Sequence, residues 1–219
     1  MGIAHPFPAQ ARSTKHAAAP PEGGNGGGGV PAVPDEPFLL VLGDHLYRAG
    51  ARATLSCAQQ LLAAHGEQPT KAAVAVALTD PRHAANFGVV SGAKEAPPMV
   101  DDTTRRLDVS AVTVTKFVEK PDAATAEALA VPGLAPPGAE ATVLTVFGMY
   151  VLPPRVFDFL DDDVRANRRH RGVFSLTSAL QRCADGDGLR GILVDGTRFD
   201  FGDATAFAHT WSHFSKDPS

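Results

Sequence analysis

An α/β fold with a largely parallel sheet is what three features of the chain predict. Apolar runs of strand length, such as 38–42 (FLLVL), 72–78 and 143–152 (VLTVFGMYVL), alternate with segments whose apolar residues recur at helical spacing. The runs are nearly unbroken, which suits strands covered on both faces. The acids Asp44, Glu119 and Asp200 stand at or near strand ends, where open α/β sheets hold their ligands.

Taken in order, the first strand is Phe38–Leu42, closed by Gly43 and Asp44. A helix follows over 51–65, with Leu55, Ala58, Leu61 and Leu62 on one face and Gly66 as its stop. Residues 72–78 form a buried strand, and 86–90 and 112–118 two shorter β-prone runs, the second ended by Pro121. A short helix over 122–130 opens on Asp122. Residues 143–152 form a strong strand despite Gly148, and a glycine inside a strand marks close approach by a ligand or another backbone. Residues 153–167 are helical, with proline in the first turn and Val156, Phe157, Leu160 and Val164 aligned. Another helix over 175–183, strands at 192–194 and 199–201, and a closing helix over 204–214 complete the pattern.

The composition is that of an ordinary globular domain: 219 residues, 44% hydrophobic and 20% charged, with a net charge of −4. It lacks the basic surplus of a nucleic-acid binder. No apolar run approaches the ~20 residues of a membrane span. Gly, Pro and Ala supply 20 of the first 34 positions. That composition reads as a flexible segment over 1–34 ahead of a folded part over 35–219. The first twenty residues carry no acid and include Arg12, Ser13 and Lys15, a pattern that loosely fits an organelle transit peptide; the alternative is a cytoplasmic protein. Cys57 and Cys183 have no partnering histidine motif and read as reduced core thiols.

Three short stretches carry candidate chemistry. Gly43-Asp44-His45 puts an acid directly after a strand, which serves either as a turn or as one of the carboxylates that hold magnesium beside phosphates. In Phe199-Asp200-Phe201-Gly202-Asp203, either acid could cap the following helix. Asp203 serves that role at least as well, which frees Asp200 for another task. Glu119-Lys120 joins a carboxylate, which accepts hydroxyls, to an ammonium, which suits phosphate. Neighbours on an extended chain point to opposite faces, so no salt bridge within the pair is expected. The basic run 168–171 follows Asp161-Asp162-Asp163 and reads as a solvated charged face.

In combination and in this order, FLLVLGDHLYR (38–48), NFGVV (86–90), VTKFVEKP (114–121), LTVFGMYVLPPRVFDFL (144–160), RGVFSLTSALQR (171–182) and GILVDGTRFDFG (191–202) resemble the sugar-phosphate nucleotidyltransferases. The branch they look most like is the bacterial-type UTP–glucose-1-phosphate uridylyltransferases. The resemblance implies a three-layer, Rossmann-like α/β fold with a mixed, mostly parallel sheet. It also implies a magnesium-assisted reaction of UTP with glucose 1-phosphate that yields UDP-glucose and pyrophosphate. Carried over residue by residue, it makes Asp44 and Asp200 the metal-holding acids, Glu119 the grip on sugar hydroxyls and Lys120 the group that meets the sugar phosphate. Gly88 and Gly148 become glycines lying against the sugar. Partners are thus a nucleoside triphosphate and a sugar 1-phosphate, with self-association into a homo-oligomer a further expectation.

The family also opens with a strand and a glycine-rich triphosphate loop, and nothing here matches it. The Gly23–Gly29 run lacks the loop's Thr-Arg pair. Gly2-Ile3-Ala4-His5 resembles a Gly-x-x-His segment from further into complete members, although Pro6 and Pro8 break the helix that usually follows it. The chain therefore looks like the later two-thirds of the family, truncated on the N-terminal side. Val173 and Ser175 stand where the family usually has an acid and a glutamine. The alternative reading is a non-catalytic sugar-nucleotide-binding module, or a fragment of a longer enzyme.

Overall fold

The computed structural model describes residues 36–51, 53–96, 110–135, 142–170 and 172–215. The segment 1–34 and Arg171 lie outside these. In chain order the elements are β1 (Phe38–Val41), β2 (His45–Ala49), α1 (Cys57–Gly66), β3 (Ala72–Thr79), a 3-10 turn (Pro81–Asn86), β4 (Gly88–Lys94) and β5 (Ala111–Glu119). There follow α2 (Ala123–Glu127), β6 (Val143–Leu152), α3 (Val156–Arg165), α4 (Leu176–Asp185), β7 (Leu189–Leu193), β8 (Gly196–Asp200) and α5 (Ala204–Phe214).

Strand alternation sorts the side chains into three layers. Ala73 and Ala75 of β3 and Phe147, Met149 and Val151 of β6 pack with Cys57, Leu61 and Ala64 of α1 on one face. Val74 and Val76, with Leu144, Val146, Tyr150 and Leu152, pack with Val156 of α3 and Ala179, Leu180 and Cys183 of α4 on the other. Both cysteines are free and buried, as the sequence suggests. β6 is buried along its whole length, the environment that its unbroken apolar run implies. α1 begins six residues later than its periodicity suggests. Ser56 supplies the cap: its hydroxyl accepts from Gln59 N (3.3 Å) while Gln59 Oε1 accepts from Ser56 N (2.9 Å).

The six-stranded sheet runs β1-β6-β3-β7-β5-β4. It is α/β and mixed, but the expected weight of parallel pairing is absent. β3–β7 is parallel, and the other pairings among the described strands are antiparallel. A strand–helix–strand order implies a parallel crossover only between sheet neighbours. Here β6 lies between β1 and β3 and runs against both, and β4 pairs directly with β5.

β1 also departs from expectation. It is an edge strand, with Leu39 39% and Val41 43% exposed, rather than a central one covered on both faces. A continuous apolar run reports a strand's hydrophobicity and leaves open how many neighbours it has. The charged-face reading of 161–171 needs a similar correction, because Asp163 is buried at 4% exposure. It accepts from Ser178 Oγ (2.5 Å) and Arg168 Nε (2.9 Å) and so ties α3 to α4.

Candidate functional site

β2 was not anticipated, and it builds the site. It pairs antiparallel with β8 in a separate two-stranded ribbon, with His45 opposite Asp200 and Tyr47 opposite Arg198. Phe201 N donates to Asp44 O (2.8 Å), which extends the ladder by one step. Two acids far apart in sequence are thereby set side by side. Both carboxylates lie against Gly202: a Cβ there would sit 3.0 Å from Asp200 Oδ1 and 3.7 Å from Asp44 Oδ2. Asp44 Oδ1 is bonded to His45 Nδ1 at 2.7 Å. Asp200 Oδ1 accepts from Gly202 N (2.6 Å) in a local turn and leaves the helix cap to Asp203. Asp203 Oδ1 accepts from Thr205 N and Ala206 N, both at 2.8 Å.

Across the ribbon, β4 and β5 bring the second half of the site. Gly88 pairs with Glu119 in register. Lys120 then leaves the strand at φ 46°, a left-handed conformation uncommon for a residue with a side chain. Its N–H donates to Phe87 O (3.0 Å). The opposite-faces expectation for Glu119 and Lys120 holds only on extended backbone, and this turn lets both line one cavity. Thr177 Oγ1 at the start of α4 donates to Glu119 Oε2 (3.1 Å) and orients the carboxylate.

The structure gathers Asp44, Gly88, Glu119, Lys120, Gly148 and Asp200 around a single cavity of about 380 Å³. An adjoining space of about 580 Å³ shares Glu119, Lys120 and Tyr150 and extends to His170, Val173 and Ser175. Both glycines are required by the protein's own atoms. A Cβ on Gly88 would sit 2.8 Å from the Phe117 ring, and one on Gly148 would sit 2.6 Å from the Tyr47 hydroxyl. Gly148 has φ 93° within a bulge, where residues 147–149 of β6 lie opposite Ala75. Its carbonyl accepts from Leu42 N and Tyr47 Oη, both at 3.0 Å.

Sequence reasoning missed Tyr47, Tyr150, Thr177 and Arg198. Arg198 shares a face of β8 with Asp200, two residues on, a relation visible only once 196–200 is seen as one strand. Its guanidinium donates to Val146 O and stacks over the Phe87 ring at 3.8 Å. Burial pushes the Tyr47 hydroxyl up to about 12, with Arg198 opposing and Asp44 adding to the rise. Tyr150 rises further for the same reason, helped by the Glu119 charge. Of the two phenols, Tyr150 lines the cavity, while Tyr47 is tied to it through the Gly148 carbonyl.

Comparison with known proteins bears on the fold and the family. UTP–glucose-1-phosphate uridylyltransferase 2 of Staphylococcus saprophyticus is 26% identical over 186 residues, 84% of this chain and 53% of that protein. The chain spans about half the length of the curated relatives it matches. The crystal structure of an apo UDP-glucose pyrophosphorylase shares the fold with a TM-score of 0.59 at 20% identity, over 83% of this chain and 55% of that one. A UDP-glucose pyrophosphorylase complexed with UDP-glucose gives 0.59 at 20% identity, over 83% and 57%. The nucleotidyl transferase family model matches residues 30–212, which is most of the sequence, and the chain belongs to that family.

Proposed function

We propose that this chain carries the sugar-phosphate-gripping and metal-holding part of a UTP–glucose-1-phosphate uridylyltransferase. The observation that carries this reading is the meeting of Asp44 and Asp200 at Gly202, on the same cavity as Glu119 and Lys120. In the reaction, an oxygen of glucose 1-phosphate attacks the α-phosphorus of UTP. One P–O bond forms, the bond to the β-phosphate breaks, and pyrophosphate leaves with the electron pair.

Glu119, oriented by Thr177, accepts hydrogen bonds from sugar hydroxyls. Lys120 sets a point charge against the sugar phosphate. Asp44 and Asp200 would hold Mg²⁺, which when bound screens the charge that gathers on the phosphoryl oxygens. Two carboxylates fit this ion, which is typically held by one or two of them together with substrate phosphates. Among the described residues no group of three or more His, Cys, Asp or Glu could hold a metal. An ion held by two carboxylates would keep positions for the substrate phosphates.

Incubation with UTP, glucose 1-phosphate and magnesium should release pyrophosphate, and Asp44→Asn or Asp200→Asn should each slow it about 100-fold or more. Release no faster than from the doubly substituted chain would overturn catalysis by these residues. A second reading is favoured by the chain's spanning about half of its relatives: a sugar-nucleotide-binding module, or a piece of a longer enzyme. Under that reading UDP-glucose still binds, measured by calorimetry, and Glu119→Ala weakens it. Among the described residues no helix is long and apolar enough to cross a membrane. Action in the cytoplasm, or in an organelle such as a plastid, and self-association are part of the same proposal.

A further inference from the structure

Arg198 is not among the residues whose roles follow from the family resemblance, yet its surroundings are unusual for a cation. Arg198 is half-buried, and among the described residues no carboxylate comes within ion-pair distance of its guanidinium. A buried charge without an ionic partner is unfavourable unless something else compensates it. Its visible contacts are the Val146 carbonyl and the Phe87 ring, which fix the plane of the group but leave its charge unmatched. A guanidinium carries five N–H donors in a rigid fork, and one carbonyl uses few of them. The face of β8 that bears Arg198 also bears Asp200, and both line the 380 Å³ cavity with Lys120.

We propose that Arg198 is a phosphate-binding catalytic residue of this site, presenting its fork to a phosphoryl group held between Lys120 and the Asp44–Asp200 pair. The proposal rests on the sugar-phosphate reading above and adds a second, directional cation to it. Asp44, Glu119, Asp200 and Asp203 all line this cavity; His45 there is hydrogen-bonded to Asp44, and Lys120 and Arg198 supply its ammonium and guanidinium. A phosphate dianion entering so acidic a space needs both. The planar fork also orients what a lone ammonium can only attract. The shared chemistry is the phosphoryl oxygen, which could belong to the sugar 1-phosphate or to the triphosphate and its pyrophosphate product.

Calorimetric titration of the full chain, with magnesium present, tests this with four probes: glucose 1-phosphate, pyrophosphate, UTP and uncharged methyl α-glucoside. Arg198→Gln keeps an N–H for the Val146 carbonyl but loses the charge, whereas Arg198→Lys keeps the charge but loses the fork. The expected result is at least tenfold weaker binding of one phosphorylated probe by Arg198→Gln. Arg198→Lys should fall between that variant and the unaltered chain, and methyl α-glucoside should be unaffected. The probe most weakened identifies the phosphoryl group. Equal affinity of Arg198→Gln and the unaltered chain for every phosphorylated probe would overturn the proposal, as would an equal loss for methyl α-glucoside, which marks a purely structural role. Glu119→Ala in parallel separates the two readings. If it weakens glucose 1-phosphate while Arg198→Gln does not, the sugar-phosphate site stands and the Arg198 role falls. If Arg198→Gln weakens binding while Glu119→Ala does not, the sugar reading falls. Failure of the unaltered chain to bind any phosphorylated probe overturns both.

Discussion

Gly148 shows how one residue couples backbone conformation to the position of the site. Its left-handed φ and the 2.6 Å approach of the Tyr47 hydroxyl both exclude a side chain. Gly148→Ala should therefore destabilise the fold by about 2–3 kcal/mol: strain of about 1–2 kcal/mol in the left-handed region, plus the hydrogen bond lost when Tyr47 is displaced. Tyr47→Phe removes that same bond, so the double variant should be less destabilised than the sum by about 1 kcal/mol, read from urea unfolding. Additive losses would show that the hydroxyl does not gate the position. At this scale the site acids, the Glu-Lys pair and both glycines were legible in the sequence, because each stands in a recognisable short stretch. Tyr47 and Arg198 were not legible, because their significance comes from facing each other across β2 and β8, and no local pattern records that pairing.

Elements were legible where one periodicity dominated. β3 and β6 are apolar but for Thr79, Thr145 and the Tyr150 hydroxyl, and α3 and α4 carry clear apolar stripes. β2 was hidden because its alternation is inverted: His45 and Tyr47 face inward while Leu46 is 42% exposed. Such a strand gives no apolar-in, polar-out signal. β1 misled for a related reason, since apolar side chains on both faces do not show that both are covered. The acidic run in α3 likewise hid a structural group. Hydrogen bonds from Ser178 and Arg168 outweigh desolvation and hold the Asp163 carboxyl below its usual range. Asp163→Asn keeps the shape but gives up the charge that Arg168 and Arg182 meet. A loss of about 1–2 kcal/mol is expected in thermal unfolding, because the α3–α4 tie loosens. Unchanged stability would reduce Asp163 to a surface acid, as its sequence context suggested.

At the scale of the whole molecule, the three layers and the family were legible, whereas the ionic tie across the far side of the sheet was not. Arg190 of β7 is 3% exposed and reaches three ways. It donates to Ala64 O of α1 (2.6 Å), to Glu67 just beyond that helix (3.3 Å) and to Glu95 at the end of β4 (2.8 Å). Glu95 also accepts from Thr113 of β5 (3.0 Å), so a single pair joins one helix to three strands. Burial works against ionisation of Glu95, but the hydrogen bonds and charge of Arg190 outweigh it and hold the carboxyl below its usual range. A carboxyl with a lower pKa folded than unfolded binds fewer protons in the native state. It therefore stabilises the fold above the unfolded carboxylate range, and that stabilisation fades as pH falls through the folded value. Glu95→Gln should cost about 2–3 kcal/mol at pH 7, less than for a fully orphaned buried charge, because Glu67 still faces the guanidinium. The gap between the variant and the unaltered chain should narrow as pH is lowered from about 6 to about 3, in chemical unfolding followed by fluorescence. Other carboxyls held low, such as Asp163, are common to both proteins and cancel in the difference. A gap that stays constant with pH would mean that the pair acts through shape and hydrogen bonding alone. The tie would then remain structural, but its charge would contribute nothing to stability.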